Sequence, residues 1–308
     1  MEKADWIWRD GEMIAWDDAQ VHVLTHSLHY GLAVFEGIRC YEQADGGAGI
    51  FRLKEHIDRL YESAHIALMD VPVPREQVMD ACRRIVKENG FKDGCYLRPL
   101  IYIGTGAMGI AALENPVHVM VAGWRWGAYL GEEGVRNGIR TMISSYRRGR
   151  TDTFMAKGKI CGQYVTSILA KREALKMGFD EAIMLDTTGV AAEGTGENLF
   201  MVKNGVVRTP SLGSSILGGI TRETAMELLE SKGIKVREDS FTRDELYTAD
   251  EIFMTGTAAE VTPVREVDHR QIGTGKPGPV TETLKGLYAS VVRGEISDYA
   301  KYIDTITF

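Results

Sequence analysis

Two short stretches of the sequence combine residue types able to do covalent chemistry. The first is Ala156-Lys157-Gly158-Lys159-Ile160-Cys161-Gly162-Gln163-Tyr164, with lysines among small residues and a tyrosine five positions after Lys159. The second, Ala192-Glu193-Gly194-Thr195-Gly196-Glu197-Asn198-Leu199-Phe200, brings two carboxylates roughly thirty residues later. A lysine condenses with an aldehyde only as the neutral amine, so it needs partial burial or a neighbouring cation. A lysine, a tyrosine and a carboxylate in this order read as a Schiff-base site. Taken alone, Lys157 and Lys159 read equally well as solvated loop lysines.

A third stretch, Leu217-Gly218-Gly219-Ile220-Thr221-Arg222-Glu223, reads as a glycine turn opening a helix. Glycines let backbone N–H groups converge, and a helix start presents unsatisfied donors to an anion such as phosphate. A simple cap by Thr221 explains the same residues. Nucleotide motifs are not supported: Gly194-Thr195-Gly196 has Leu199 where a third glycine would stand, and 156–162 lacks the G-x-x-x-x-G-K-[ST] order. Near the amino terminus, Thr25 to Arg39 sets Tyr30, Phe35 and Arg39 among small residues, a composition that lines pockets or fills cores.

The elements that must position these groups follow from pattern. Asp10-Gly11 reads as a hairpin turn inside Trp6–Ile14, and Val21-His22-Val23 alternates like a strand end. Helical spacing runs over 55–69 and about 76–89, with Gly90 as a stop. Cys95 to Ile103 reads as a strand that Pro99 assigns to a sheet edge or a bulge. Val117 to Ala122 is a strand, and 123–131, without a clean period, a connector. Strands are expected over 138–143, 182–186, 199–202, 206–208, 234–236 and 251–254, with a tight turn over 255–259 before 261–264. Helices are expected over 163–177, from about 217 to 232, and over about 280–293, with a hairpin turn at Asn204-Gly205.

Composition sets the outer limits. The 308 residues suit two domains or one large one, and 44% hydrophobic with 26% charged residues is ordinary for a globular protein. A formal net charge of -7 with no long basic run disfavours nucleic acid. Arg147-Arg148-Gly149-Arg150 is the densest basic patch and reads as a solvated loop. The four cysteines form no C-x-x-C pair, and no signal peptide is evident, so a reducing, cytoplasmic setting is the expectation. No apolar run approaches the ~20 residues of a membrane helix. The histidines show no metal-ligand spacing, His26 and His29 read as structural, and no metal is assigned.

With these residues in view, the chain resembles the bacterial branched-chain amino-acid aminotransferases of the pyridoxal-phosphate fold-type IV group. The resemblance is carried, in family order and over nearly the whole chain, by H-Y-G-L-A-V-F-E-G-I-R (29–39), Y-L-R-P-L (96–100) and W-G-A-Y-L-G (126–131). It continues through K-I-C-G-Q-Y (159–164), E-G-T-G-E-N-L-F (193–200), L-G-G-I-T-R (217–222) and T-G-T-A-A-E (255–260). Ile160-Cys161 departs from the smaller residues of the family pattern. The resemblance implies a mixed α/β fold in two domains: a small α/β domain over 1–123, a connector over 124–137, and a larger pseudo-barrel α/β domain over 138–308 carrying the Schiff-base lysine.

It also implies roles. Lys159 bonds pyridoxal 5′-phosphate and shuttles a proton, Tyr164 meets the phenolic oxygen, and Glu193, with Glu197 as competitor, faces the pyridine nitrogen. Lys157 does not occupy the nucleophile position. Arg59, Leu217, Gly219, Ile220, Thr221 and Thr257 complete the cofactor set. Substrate would be lined by Tyr30, Phe35, Gly37, Tyr96, Trp126 and Tyr129. Arg98 would meet the distal carboxylate of glutamate, and Tyr96 with Thr257 and Ala258 the α-carboxylate. Ile110 would reach a neighbouring subunit, making the chain at least a dimer. Two rivals stand beside this: another fold-type IV enzyme (a D-amino-acid or R-selective amine aminotransferase, or aminodeoxychorismate lyase), and a catalytically silent phosphate-binding scaffold.

Overall fold

Where Asp10-Gly11 demands a turn, the chain reverses: Trp6–Arg9 pairs antiparallel with Glu12–Ala15, Trp8 opposite Met13. Asp10 at φ 52° and Gly11 at φ 107° give the left-handed pair whose twist matches the strands. The computed structural model describes residues 2–127 and 131–308. Contacts divide the chain into two units: Met1–Trp126 with Gly158–Gln163 and Ser290–Phe308, and Gly127–Lys157 with Tyr164–Ala289. The sequence reading put Lys159 in the second half of a linear division; by contacts its segment goes with the first unit.

In the first unit one sheet runs in the order Ile303–Ile306, Ala48–Phe51, Ile38–Glu42, Gly94–Ile103, Val117–Trp124, Trp6–Arg9, Glu12–Ala15, with Ala33–Phe35 also paired to Gly94–Ile103. The helix Leu53–Ile66 buries Leu53, Ile57, Leu60 and Ala64, and with Val34, Ile38, Leu97, Ile101 and Val119 they form one core. Each such Leu or Ile contributes roughly 1.5–3 kcal/mol of burial. Ile160, the bulky residue of the lysine segment, joins that core, and a bridge between Val34 and Ile160 fastens the segment to the sheet.

Pro99 is not at an edge. Its strand lies between two neighbours, and Pro99 pairs with Val121 on one side. On the other side the ladder breaks between Phe35, opposite Leu100, and Ile38, opposite Leu97. Pro99 sits at that break, where its carbonyl accepts from Glu36 N at 2.9 Å. A missing N–H is tolerated because the partner strand is interrupted there. Residues 21–23 form no strand and leave Val21 and Val23 exposed. Gly123 and Trp124, read as connector, extend the sheet strand, and Gly131–Asn137 is a short helix.

The second unit is built on a ring of six strands: Ala191–Glu193, Glu181–Leu185, Ile139–Arg147, Glu260–Val267, Glu251–Gly256 and Asn198–Lys203, closed by pairing of the first with the last. Closure removes sheet edges. Ile139, Ile183, Leu199, Met254 and Val264 belong to its core. The helix Tyr164–Lys176 packs its small residues Ser167, Ala170 and Ala174 inward. The hairpin at Asn204-Gly205 forms as its sequence requires, with both residues at positive φ. Among the described residues no helix is long and apolar enough to cross a membrane.

Candidate active site

In the first unit, the lysine segment and the pocket loop come together through the backbone: Phe35 N donates to Lys159 O at 3.1 Å. The Lys159 Nζ lies 4.8 Å from the centre of the Phe35 ring. Gly37 is required by its neighbour, since a Cβ there would stand 1.8 Å from Tyr96 Oη. Tyr96 is buried and packs edge-on to Trp126 at 4.6 Å, with Trp124 at 5.2 Å.

Arg98 ends among these rings. Its guanidinium carbon lies 4.8 Å from Phe35, 5.5 Å from Tyr96 and 5.6 Å from Trp124. Its Nη2 reaches Tyr96 Oη at 3.5 Å, and its buried Nε has no hydrogen-bond partner. Aromatic faces hold a cation without neutralising it. The positive charge therefore remains to be met by an anion. The charges of Arg98 and Lys159 also act on Cys161, but burial outweighs them and pushes that thiol up, leaving it a weak nucleophile.

Arg59, on the Leu53–Ile66 helix, forks onto Glu36 through Nε at 2.7 Å and Nη2 at 2.9 Å. Tyr30 is exposed at 44%, and its hydroxyl accepts from Gly109 N at 3.1 Å. His26 holds the same loop, with Nε2 2.9 Å from Gly109 O. Tyr129 lies outside the described residues.

In the second unit Glu193 ends the short strand Ala191–Glu193, opposite Asn198. It is 5% exposed, and both carboxylate oxygens are engaged. Oε1 pairs with Arg148 Nη2 at 2.6 Å; Oε2 accepts from Asn198 Nδ2 at 3.1 Å and from Leu217 N at 3.2 Å. Arg148 corrects the reading of its basic patch as a solvated loop. It is buried, donates to Ser167 Oγ at 3.2 Å and stacks on Phe154. Nothing in the run 147–150 distinguishes it from its exposed neighbours Arg147 and Arg150.

Gly219 opens the helix Ile220–Ser231, whose start carries no side-chain cap. A Cβ at Gly219 would stand 1.9 Å from Asn198 Oδ1, so a side chain there would have to displace the amide that holds Glu193. Thr221 is buried at this uncapped turn, Tyr164 begins its own helix half-buried, and Thr257 and Ala258 lie half-buried in the turn after Gly256. Lys157 is engaged elsewhere: Nζ donates to Ser214 O at 3.1 Å and Ile216 O at 2.7 Å, and burial lowers its pKa. Glu197 is buried too, and its carboxyl is pushed up to about 8 by burial first and by the neighbouring Glu181 charge second. A carboxyl protonated at neutral pH serves a cationic ring poorly, which favours Glu193 over Glu197.

The family model described as amino-transferase class IV matches residues 33–267. A branched-chain-amino-acid aminotransferase of Pseudomonas aeruginosa is 49% identical over 296 residues, spanning 96% of this chain and 95% of its own length. The crystal structure of the Escherichia coli branched-chain amino acid aminotransferase superposes with a TM-score of 0.96 at 44% identity, covering 99% of this chain and all of that one. A T.th. branched-chain amino acid aminotransferase, complexed with N-(5′-phosphopyridoxyl)-L-glutamate, superposes with a TM-score of 0.94 at 44% identity over the full length of both chains.

Proposed function

From the premise that the chain belongs to the class IV aminotransferases, we propose that it moves amino groups between branched-chain L-amino acids and 2-oxoglutarate by a ping-pong mechanism. Branched-chain transamination is its reaction and pyridoxal 5′-phosphate its cofactor; the assignment of individual residues is the proposal. The residues present suit that cofactor. They offer an amine at Lys159, a buried ionic carboxylate at Glu193, and an uncapped helix start behind a glycine packed against Asn198. When bound, the cofactor supplies an aldehyde for amine exchange and a ring that accepts electrons.

The protein's part is positioning and proton transfer. Lys159 Nζ provides the exchanging amine and carries the proton on and off the substrate Cα. Tyr164 Oη is assigned to the phenolic oxygen. Glu193, fixed by Arg148 and Asn198, is assigned to the ring nitrogen. Arg59, the backbone of Leu217, Gly219, Ile220 and Thr221, and Thr257 are assigned to the phosphate. Phe35, Gly37, Tyr96, Trp126, Tyr30 and Tyr129 are assigned to the aliphatic side chain. Tyr96 with the Thr257-Ala258 turn takes the α-carboxylate.

The observation that carries the substrate reading is Arg98: one cation set against three aromatic rings with a buried, unpartnered Nε. An apolar wall suits leucine, isoleucine and valine, and the cation suits the distal carboxylate of glutamate. A substrate panel with 2-oxoglutarate as acceptor tests this. Turnover of D-amino acids or of simple amines in place of the branched L-amino acids would overturn it in favour of a fold relative.

A homo-oligomer, at least a dimer, belongs to the same proposal. His26 and Tyr30 hold the loop at Gly109, and that loop together with the nearby 21–28 segment exposes Ile110, Leu113, Val23 and Leu28. Ile110, at 93% exposure, is the residue assigned to a neighbouring subunit's pocket. A cytoplasmic location is proposed as well; the four cysteines are free thiols, which suits a reducing compartment.

A further inference from the structure

One face of the Leu53–Ile66 helix presents His56, Arg59 and Ser63, spaced by three and four residues. All three bond to groups that matter for the site. Ser63 Oγ donates to Arg59 O at 2.8 Å and accepts from Lys159 N at 3.0 Å. His56 Nδ1 lies 2.8 Å from Glu36 Oε2, and Arg59 takes both oxygens of the same carboxylate. Glu36 is completely buried. Its flanking residue Phe35 bonds Lys159 O, and its own N–H bonds Pro99 O. The pocket loop 35–37, the helix face and the Lys159 backbone are thus tied through a single carboxylate and a single hydroxyl.

We propose that Glu36 is a positioning residue that aims the Arg59 guanidinium at the cofactor phosphate, a role that rests on the assignment of Arg59 to that phosphate. Stability alone does not explain a fully buried ion pair, because well-packed apolar replacements of such pairs are often neutral or stabilising. Orientation does. With Nε and Nη2 forked onto Glu36, the plane of the guanidinium is fixed, and a planar donor set recognises phosphate by direction. Burial by itself would raise Glu36, but the Arg59 charge and the His56 hydrogen bond hold it far below the usual carboxylate range, so the fork stays ionic. Burial also lowers His56, which therefore serves as a neutral Nδ1–H donor. Glutamine in place of Glu36 would turn an amide N–H toward a guanidinium N–H and break the fork.

The experiment compares binding of pyridoxal 5′-phosphate with binding of phosphate-free pyridoxal by the full-length protein, for wild type, Glu36→Gln, Arg59→Ala and the double variant. Glu36→Gln should weaken the phosphorylated form about tenfold and pyridoxal less than about twofold, and the double variant should bind like Arg59→Ala alone. Equal loss for both ligands, or additive loss in the double variant, would show a merely structural carboxylate and overturn the proposal. An unchanged ligand ratio in Arg59→Ala would instead remove Arg59 from the phosphate, a result distinct from failure of Glu36. Should Glu36→Gln fail to fold, Glu36→Asp keeps the charge and withdraws it by one methylene. A partial fall in the ligand ratio supports the proposal there, and an unchanged ratio overturns it.

Discussion

Arg98 in the first unit and Glu193 in the second hold their charges in opposite ways. In the first, Arg98 is held by aromatic faces, and among the described residues no carboxylate pairs with it. In the second, Glu193 has every oxygen engaged by Arg148, Asn198 and the Leu217 amide. A cation left for an incoming anion suits a substrate that arrives and leaves in each half-reaction. A carboxylate already fixed by three donors suits a resident group whose ring must sit in one place. The contrast predicts that substitutions in the second unit alter the chemistry for every substrate, whereas Arg98 separates one substrate from another.

The largest effect is expected at the lysine segment. Lys159→Ala should remove the cofactor's characteristic absorbance and cut turnover by at least about four decades, since no other side chain is assigned to the nucleophile's position. Lys157→Ala should keep both. Its ammonium bonds two carbonyls of the 214–216 loop, so the cost is about 1 kcal/mol of stability, read as a shift in the urea midpoint. If the two phenotypes were reversed, the lysine assignment would be wrong.

Next in size is Glu193→Gln. The amide cannot hold a positive ring nitrogen, so kcat should fall by two decades or more, on the order of the 10²–10⁴ of a lost acid–base partner. Cofactor affinity should fall much less, because the phosphate groups are untouched. Leucine and glutamate should suffer equally, and that equality is what the contrast between the units requires. A selective loss of one substrate would place Glu193 among the groups that recognise substrate.

What was legible in the sequence divides along the same physical line. Local signals held wherever a single residue dictates backbone conformation: Asp10-Gly11, Gly90 after the Arg75–Glu88 helix, and Asn204-Gly205. The helix expected over 55–69 is found at Leu53–Ile66, plain in its period though not in its ends. The failures are non-local. Pro99 argues for an edge only if its neighbouring strand is continuous, and the interruption at Glu36-Gly37 cannot be seen from either segment alone. Arg148 looks like any loop arginine until Glu193, 45 residues later, turns toward it. The carboxy-terminal strand Ile303–Ile306 pairs with Ala48–Phe51 across almost the whole chain, and no pattern within four residues announces that. A connector read from residue 123 begins two residues too early and so takes in Trp124, which pairs opposite Tyr96.

Arg98→Leu should have a smaller but more selective effect. A charge-assisted hydrogen bond contributes roughly 1.5–3 kcal/mol, so glutamate should lose about one to two decades of kcat/KM. Leucine and isoleucine make no such bond and should change little. Single-turnover kinetics of the cofactor absorbance, followed separately with glutamate and with leucine, measures the split. Equal losses would mean that Arg98 serves the shared α-carboxylate or the fold.

The smallest effect on turnover concerns the carboxyl that the proposed chemistry leaves unused. Glu197 is buried in the second unit, and burial together with the Glu181 charge pushes it up to about 8, from an ordinary 4.5. Glu181 spends its own oxygens on Lys171 at 2.6 Å and Thr195 at 2.7 Å, so the pair carries one proton more when folded than when unfolded. Between pH 4.5 and about 8 the unfolded carboxyl is ionised and the folded one is protonated. Stability must therefore fall as pH rises through that window, by up to about 1.4 kcal/mol per pH unit. Glu197→Gln keeps the neutral, hydrogen-bonding shape without the titration. Its urea midpoint should gain on that of the wild type steadily from pH 5 to pH 8, with transamination per folded molecule nearly unchanged. Parallel curves would place the extra proton on some other group. A loss of turnover as large as that of Glu193→Gln would mean that the second unit holds its ring partner with both carboxylates, and the contrast drawn between a saturated Glu193 and an awaiting Arg98 would need a second acidic member.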